Sequence, residues 1–415
     1  MYTIGFCGMS HLGICYSTAA AEKGFKITCF DFDENKINNL KNNNIEIEEP
    51  DLKELIDKNK SNLIYTNDIL ALSSCDFVYF SFDVDTNNKG DSDSKLLTKK
   101  LEKLISNLDK NIPLIILSQV PPGLTRNLYK IKKKLYYQVE TLIFGNAMHR
   151  SLNPERFIVG SKDSTDILPK NITHFLNTFH CPILIMRFES AELAKIAINC
   201  YLASSLSITN TLSEICDSIG ASWDEIIPTL QSDKRIGEFA YLKPGLGISG
   251  GNIERDLVTI KAIGLKKKTN IKCINSIIEL SKYSKQWLFR NIQKHINKNI
   301  NLKIAILGLA YKENTNSIKN SPSIELLNKI KSSSIKVYDP LVTRINIEGV
   351  IMTKSIDDAI KNSDILVIAT AWEEFRSLDL RLIKSQMNSN IIIDPYKILN
   401  EESLKKLDFI YYSIG

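Results

Sequence analysis

The chain has 415 residues and a mass of 47.0 kDa, too long for one ordinary hydrophobic core, so two or three domains are expected. With 43% hydrophobic and 24% charged residues and a mean hydropathy of −0.11, it reads as a folded globular chain, which excludes a disordered or fibrous one. Fifty-three Lys plus Arg against 47 Asp plus Glu give +6; the basic clusters Lys132–Lys134 and Lys266–Lys268 are short, read as solvated faces, and point to no nucleic-acid partner.

The first 186 residues have an α/β rhythm. A strand over Tyr2–Cys7 meets a glycine-containing turn, a helix runs to Lys23, and a second strand, Lys26–Phe30, ends in Asp31. Apolar runs at Phe77–Phe82, Pro113–Leu117 and Thr141–Phe144 predict further strands, and Asp85–Ser94 reads as a polar loop. From Glu189 to about Cys216, and again over Asn270–Ile296, apolar residues recur at helical spacing, giving a helical middle domain over 187–298 of the kind that serves as a subunit interface. A Lys/Asn-rich linker around Lys298–Asn301 leads into a second α/β region, 299–415. Its strands are predicted at Lys303–Leu307, Ile335–Tyr338, Ile365–Thr370 and Ile391–Ile393, with a helix at Pro322–Ser332. The expected fold is therefore α/β: two Rossmann-like, doubly wound parallel-sheet domains joined by a helical central domain.

No apolar run approaches the roughly 18–20 residues of a bilayer span. The start, MYTIGFCGMS, lacks a basic leader and reads as a strand, so a cytoplasmic protein without membrane contact is expected. The eight cysteines contain no CxxC pair and lie mostly in apolar stretches, which fits buried thiols in a reducing compartment. The five histidines are scattered, and no metal site is expected.

Chemistry first shows in Gly8-Met9-Ser10-His11-Leu12-Gly13, between a strand and a helix. A dinucleotide fold needs a tight turn, a close approach of backbone to pyrophosphate and tight helix–strand packing. Gly8 and Gly13 suit the first and last tasks; Ser10 stands at the middle glycine position, where its hydroxyl can reach a phosphate. Asp31 closes the second strand, where a carboxylate accepts the ribose hydroxyls and repels a 2′-phosphate, favouring NAD over NADP.

Lys36 and Glu49-Pro50-Asp51-Leu52 follow in order, then Ser118-Gln119-Val120-Pro121-Pro122-Gly123, Gly145-Asn146-Ala147 and Asn153-Pro154-Glu155-Arg156. Ala191-Glu192-Leu193-Ala194-Lys195 with Asn199, Arg235-Ile236-Gly237, Tyr241–Gly247, Gly308–Lys312, Tyr338-Asp339-Pro340 and Thr370–Phe375 complete the series. Together they resemble the UDP-glucose/GDP-mannose dehydrogenase family over nearly the whole chain. The resemblance implies oxidation of C6 of a nucleoside-diphosphate hexose, a UDP-hexose being favoured, with NAD as cofactor, in polysaccharide precursor synthesis and as a homodimer.

It also implies roles for single residues. Lys195 resembles the lysine that holds the developing oxyanion, and Asn199, four residues on, the amide beside it. Glu140 stands at an acid/base carboxylate and Asp256 at the water-orienting aspartate. Gly8, Ser10, Gly13, Asp31, Lys36 and Gln119 fall at cofactor positions. Leu142, Arg235, Tyr241, Gly245, Gly247 and Lys312 fall at substrate positions, Arg235 reaching the diphosphate of a neighbouring subunit.

The pattern breaks at the chemistry. The glycine-rich loop Pro244–Gly251 is followed by Asn252 where the family has a nucleophilic cysteine, and an amide is no nucleophile. Gln119 replaces a threonine, Phe144 a second carboxylate, and Asn316-Ser317 an acidic pair, while Lys319 and Tyr396 replace arginines. The readings that follow are an oxidoreductase with altered chemistry, a catalytically inactive protein that binds NAD and a nucleotide sugar, or a structural partner of an active homologue.

Overall fold

The computed structural model describes residues 2–84, 94–296, 302–330 and 334–415; the loop expected over Asp85–Ser94 lies outside them except for Ser94, which begins a helix, and the expected linker around Lys298–Asn301 lies outside them too. The described residues form two compact units, one of 2–84 with 94–198, the other drawn from 199–415.

The first unit is built on eight strands: β1 (Thr3–Cys7), β2 (Lys26–Phe30), β3 (Leu63–Thr66), β4 (Phe77–Phe80), β5 (Leu114–Ile116), β6 (Leu135–Gln138), β7 (Phe157–Ser161) and β8 (Ile183–Arg187). Their order is β3-β2-β1-β4-β5-β6-β7-β8, parallel except for the antiparallel β6–β7 pair. The inner strands are buried on both faces, which is why they read as unbroken apolar runs such as Phe77–Phe80. Helix α1 (His11–Glu22) follows β1 directly, and α2 (Ser94–Asn107) precedes β5.

Two expectations fail in this unit. Thr141–Phe144 is not a strand but a turn-containing loop; the strand is Leu135–Gln138, whose polar end, Gln138, is buried and accepts from the Tyr79 hydroxyl at 2.7 Å. Lys132 is not on a solvated face: it is 2% exposed and its Nζ donates to the Asp109 carbonyl at 2.6 Å.

Helix α3 (Phe188–Ile219) contributes residues up to Ile198 to the first unit and the rest to the second. The second unit continues with α4 (Asn252–Lys267), α5 (Lys272–Lys285) and α6 (Trp287–Ile296), so the single helix expected over Asn270–Ile296 is broken at Gln286. Six parallel strands follow: β9 (Lys303–Leu307), β10 (Ser334–Tyr338), β11 (Val350–Met352), β12 (Ile365–Ile368), β13 (Ile391–Ile393) and β14 (Ile410–Tyr412), in the order β11-β10-β9-β12-β13-β14.

Each sheet reverses its strand order beside its first strand, at β1/β4 and at β9/β12, which opens a crevice at the carboxyl ends of those strands. The two turns there are closed alike. The Gly8 N–H donates to the Phe30 carbonyl and that of Gly308 to the Tyr338 carbonyl, each at 2.8 Å. An aspartate at the end of the second strand then holds the turn. Asp31 accepts from Met9 N–H at 2.7 Å and from Asp33 N–H at 3.0 Å. Asp339 accepts from the N–H groups of Leu309 (2.6 Å), Ala310 (3.0 Å), Leu341 (3.0 Å) and Val342 (2.9 Å) and from Trp372 Nε1 (3.1 Å). No helix among the described residues is long and apolar enough to cross a membrane.

Candidate active site

In the first unit, the glycine turn sits at the β1/β4 crevice. A Cβ on Gly13 would lie 1.7 Å from the Gly8 carbonyl oxygen, so no side chain fits and the first turn of α1 packs directly on the strand end. Asp31 is 2% exposed, and Lys36 Nζ lies 3.9 Å from its Oδ2. Ser10 spends its hydroxyl inside the protein: it donates to the Ser81 carbonyl and accepts from Asp83 N–H, both at 2.9 Å. The turn is thereby tied to the segment that leaves β4. Gln119 is half-buried just beyond β5.

The loop after β6 carries Glu140. One carboxylate oxygen lies 2.9 Å from Lys195 Nζ on α3; the other accepts from Leu142 N–H at 3.0 Å, so the backbone of Leu142 orients Glu140 while its side chain packs against the core. Glu192, in the same stretch of α3, is 1% exposed and accepts from the N–H groups of Gly123 (2.5 Å) and Thr125 (2.9 Å). Its place in the sequence pattern is that of a backbone cap.

In the second unit, Asn252 is the first residue of α4, behind an N-cap, Gly251, that provides no side-chain bond. Asp256, one turn on and 1% exposed, accepts from Asn199 Nδ2 at 2.5 Å. The start of α4 is fixed by Glu254, which takes Lys285 Nζ at 2.6 Å and the amide of Asn320; that amide also donates to the Gly250 carbonyl at 3.0 Å. Gly247 has φ +80, and a Cβ there would meet the Ser281 carbonyl at 2.5 Å, so the loop's path requires glycine. Gly245 N–H donates to Asn210 Oδ1 at 2.9 Å, and the Tyr241 carbonyl accepts from Thr209 Oγ1 at 2.9 Å. Lys312 Nζ lies 6.0 Å from the Tyr311 ring centre on the turn after β9. Arg235 is set apart at the surface, with Nη2 2.6 Å from Asp233 Oδ2 and its side chain 88% exposed.

Three models of one family cover most of the chain: the NAD binding domain of the UDP-glucose/GDP-mannose dehydrogenase family matches residues 2–178, its central domain 189–283 and its UDP binding domain 305–401. The chain belongs to the UDP-glucose/GDP-mannose dehydrogenase family. NAD is its cofactor, and the glycine turn with a buried carboxylate beside it fits that group. Among curated relatives, UDP-glucose 6-dehydrogenase TuaD of Bacillus subtilis is 28% identical over 433 residues (100% of this chain, 93% of the relative). The UDP-glucose 6-dehydrogenase of Rickettsia typhi is 29% identical, with 99% of each chain covered. Two solved structures share the fold: a UDP-D-ManNAc dehydrogenase from Pyrococcus horikoshii (TM-score 0.84, 22% identity, 100% and 99% covered) and a UDP-glucose dehydrogenase from Pyrobaculum islandicum (TM-score 0.83, 19% identity, 100% and 97% covered).

Asn252 is an amide at the start of a sixteen-residue helix. Cys200 lies beside Asp256 in space, yet burial and the Asp256 charge push its thiol up to about 11, so it stays protonated near neutral pH. Sequence reasoning assigned no role to three polar residues at the crevice. His11 stacks on Phe144 (ring centres 4.3 Å apart), and its Nε2 lies 2.8 Å from Glu49 Oε1. Glu49 also accepts from the N–H groups of Gly145 (2.8 Å) and Ala147 (3.1 Å). Phe144 is thus a platform for the imidazole. The third residue is Asp83, whose carboxylate faces Leu12 N–H. The only sequence signal for the first pair is Phe144, read as a departure from the family pattern.

Proposed function

We propose that the protein oxidises the C6 alcohol of a nucleoside-diphosphate hexose, a UDP-hexose, by an NAD-dependent reaction whose second half is altered by Asn252. The observation that carries this reading is the Lys195–Glu140 pair, 2.9 Å apart with side chains 10% and 14% exposed. Holding two ionisable groups largely out of water is costly and does little for the fold, whereas an oxidation at an alcohol needs a cation for the oxygen and a base for its proton. Bound NAD supplies the hydride acceptor. Lys195 holds the C6 oxygen as it loses its proton, and Glu140 takes that proton.

With no thiol to capture it, the aldehyde is oxidised further only after water adds. The family resemblance gives Asp256, held by the Asn199 amide, the task of orienting that water. The second oxidation is therefore slower than the first. The diphosphate is read by Lys312, the Gly245–Gly247 loop and, from a second copy of the chain, Arg235, which is well exposed for that purpose. The second copy covers an apolar stripe on α3: Tyr201 (79% exposed), Ile208 (56%), Ile215 (47%) and Ile219 (72%). The product class, a nucleotide-linked sugar aldehyde or acid, belongs to polysaccharide precursor synthesis in the cytoplasm.

Incubating the protein with NAD and a panel of UDP- and GDP-hexoses, then following NADH absorbance and product mass, tests this. One NADH per sugar in an early phase with a 6-aldehyde product is expected. Rapid formation of two NADH and a uronic acid overturns the altered second half. No NADH with any sugar leaves a protein that binds both ligands without turnover.

A further inference from the structure

The N-terminus of α1 is where a dinucleotide fold receives the pyrophosphate: the backbone N–H groups of the first turn have no partner within the helix, and the helix dipole favours negative charge. In this chain one of those N–H groups, that of Leu12, already donates to a carboxylate, Asp83 Oδ2 at 3.3 Å. The carboxylate comes from 71 residues away in sequence, three residues past the end of β4, on the other wall of the crevice. It is held there: Asp83 N–H donates to Ser10 Oγ, and the same hydroxyl donates to the Ser81 carbonyl, so the segment carrying Asp83 is bolted to the glycine turn. Ser10, standing at the middle glycine position, is thus the residue that docks an anion at the pyrophosphate's own donors.

We propose that Asp83 is an affinity-determining residue of the NAD site, competing with the pyrophosphate for the N-terminus of α1 and weakening cofactor binding. The proposal rests on NAD being the cofactor. A carboxylate and a pyrophosphate repel each other at the Leu12 N–H, so binding favours the protonated form of Asp83. Desolvation by the groups packed around it raises the Asp83 carboxyl above its ordinary value although the residue as a whole is exposed, and Glu140 beyond β6 adds to the rise; His11, the Leu12 N–H and Ser10 oppose it. The other ionisable groups facing this corner are Cys15 on α1, Glu49 through His11, and Lys100 on α2, which sits 4.2 Å above the ring of the adjacent Phe82. The negative charge of a pyrophosphate raises the Asp83 carboxyl further. NAD binding by the native chain therefore takes up protons, and it weakens as pH rises.

Calorimetric titration of NAD into the full chain and into Asp83→Asn tests this without any turnover. At about pH 8 the variant is expected to bind NAD roughly five- to tenfold more tightly than the native chain, with a smaller difference at about pH 6. The native chain should show a binding heat that varies with the ionisation heat of the buffer, and Asp83→Asn should not. Asp83→Ala gives a second variant with the same expected direction, and the buffer dependence of the native chain needs no variant at all. Equal affinities, weaker binding by both variants, or proton uptake that persists unchanged in Asp83→Asn and so belongs to His11 overturns the proposal. Absence of NAD binding by every form, by contrast, is a failure of the cofactor assignment on which it stands.

Discussion

Lys195 Nζ and Glu140 Oε1 lie 2.9 Å apart, and the second oxygen of Glu140 is held by the Leu142 N–H, so the carboxylate is fixed at both of its oxygens. A cation and a carboxylate kept in this way are placed for proton handling. Replacing Lys195 by Met is expected to lower turnover by roughly 10²–10³-fold, the range for losing one oxyanion-stabilising group. NAD affinity measured by calorimetry should stay within twofold or so of native, since Lys195 is not at the glycine turn. A loss of NAD affinity equal to the loss of turnover would show that the pair has a structural role only.

Asn252 stands at the first position of α4, where the helix N-terminus lowers the pKa of a thiol. Asn252→Cys is therefore expected to gain a reactive thiol that forms a covalent adduct with the aldehyde, visible by intact mass, and to become sensitive to alkylation. In the native chain, alkylators should modify the exposed Cys273 without changing turnover, and the half-buried Cys200, whose thiol is pushed up to about 11, should react far more slowly. Inactivation of the native chain by an alkylator would contradict this account.

Asp31 accepts from the Met9 and Asp33 N–H groups and retains lone pairs for a ribose diol. Asp31→Asn should weaken NAD binding by about tenfold or more, the worth of a hydrogen bond to a charged acceptor, and should narrow the preference over NADP. Fluorescence titration with both cofactors measures it; unchanged NAD affinity would remove Asp31 from the site.

Burial pushes the Lys132 ammonium down to about 8 from the ordinary 10.5. Between those values the unfolded chain holds a proton that the folded chain has released, so this residue makes stability rise with pH across that window. Below about 8 the penalty of the buried charge is present in full. Lys132→Met is expected to raise the melting temperature at neutral pH, and the gain should shrink as pH climbs towards 10 or so. A gain independent of pH would show that packing, not charge, is responsible.

Much of the fold was legible because central parallel strands are continuous apolar runs: Lys26–Phe30, Lys303–Leu307 and Ile391–Ile393 need nothing beyond that pattern. β6 was not, because its last residue is the buried Gln138, satisfied by a tyrosine from a strand two places away, while the apolar Thr141–Phe144 next to it is a loop. The break at Gln286 was hidden because both flanking helices carry apolar residues at the same spacing. In the site, residue types at motif positions are the ground on which Lys195, Asp256 and Asn252 are proposed. The partnership of His11 with Glu49 and the contact of Asp83 with Leu12 join residues 38 and 71 positions apart, and no local pattern encodes them.

The aspartate that closes the second Rossmann-like turn differs from its counterpart in one countable respect. Asp339 accepts from five N–H donors, and a carboxylate offers about four lone-pair sites. Asp31 accepts from two backbone N–H groups. A diol arriving at β10 would find its acceptor already saturated, whereas one arriving at β2 would not. The two α/β halves, alike in strand order around the turn, are thus made unequal by hydrogen-bond valence alone. Titration to saturation should accordingly count a single dinucleotide per chain, leaving the second crevice to a ligand held by other groups.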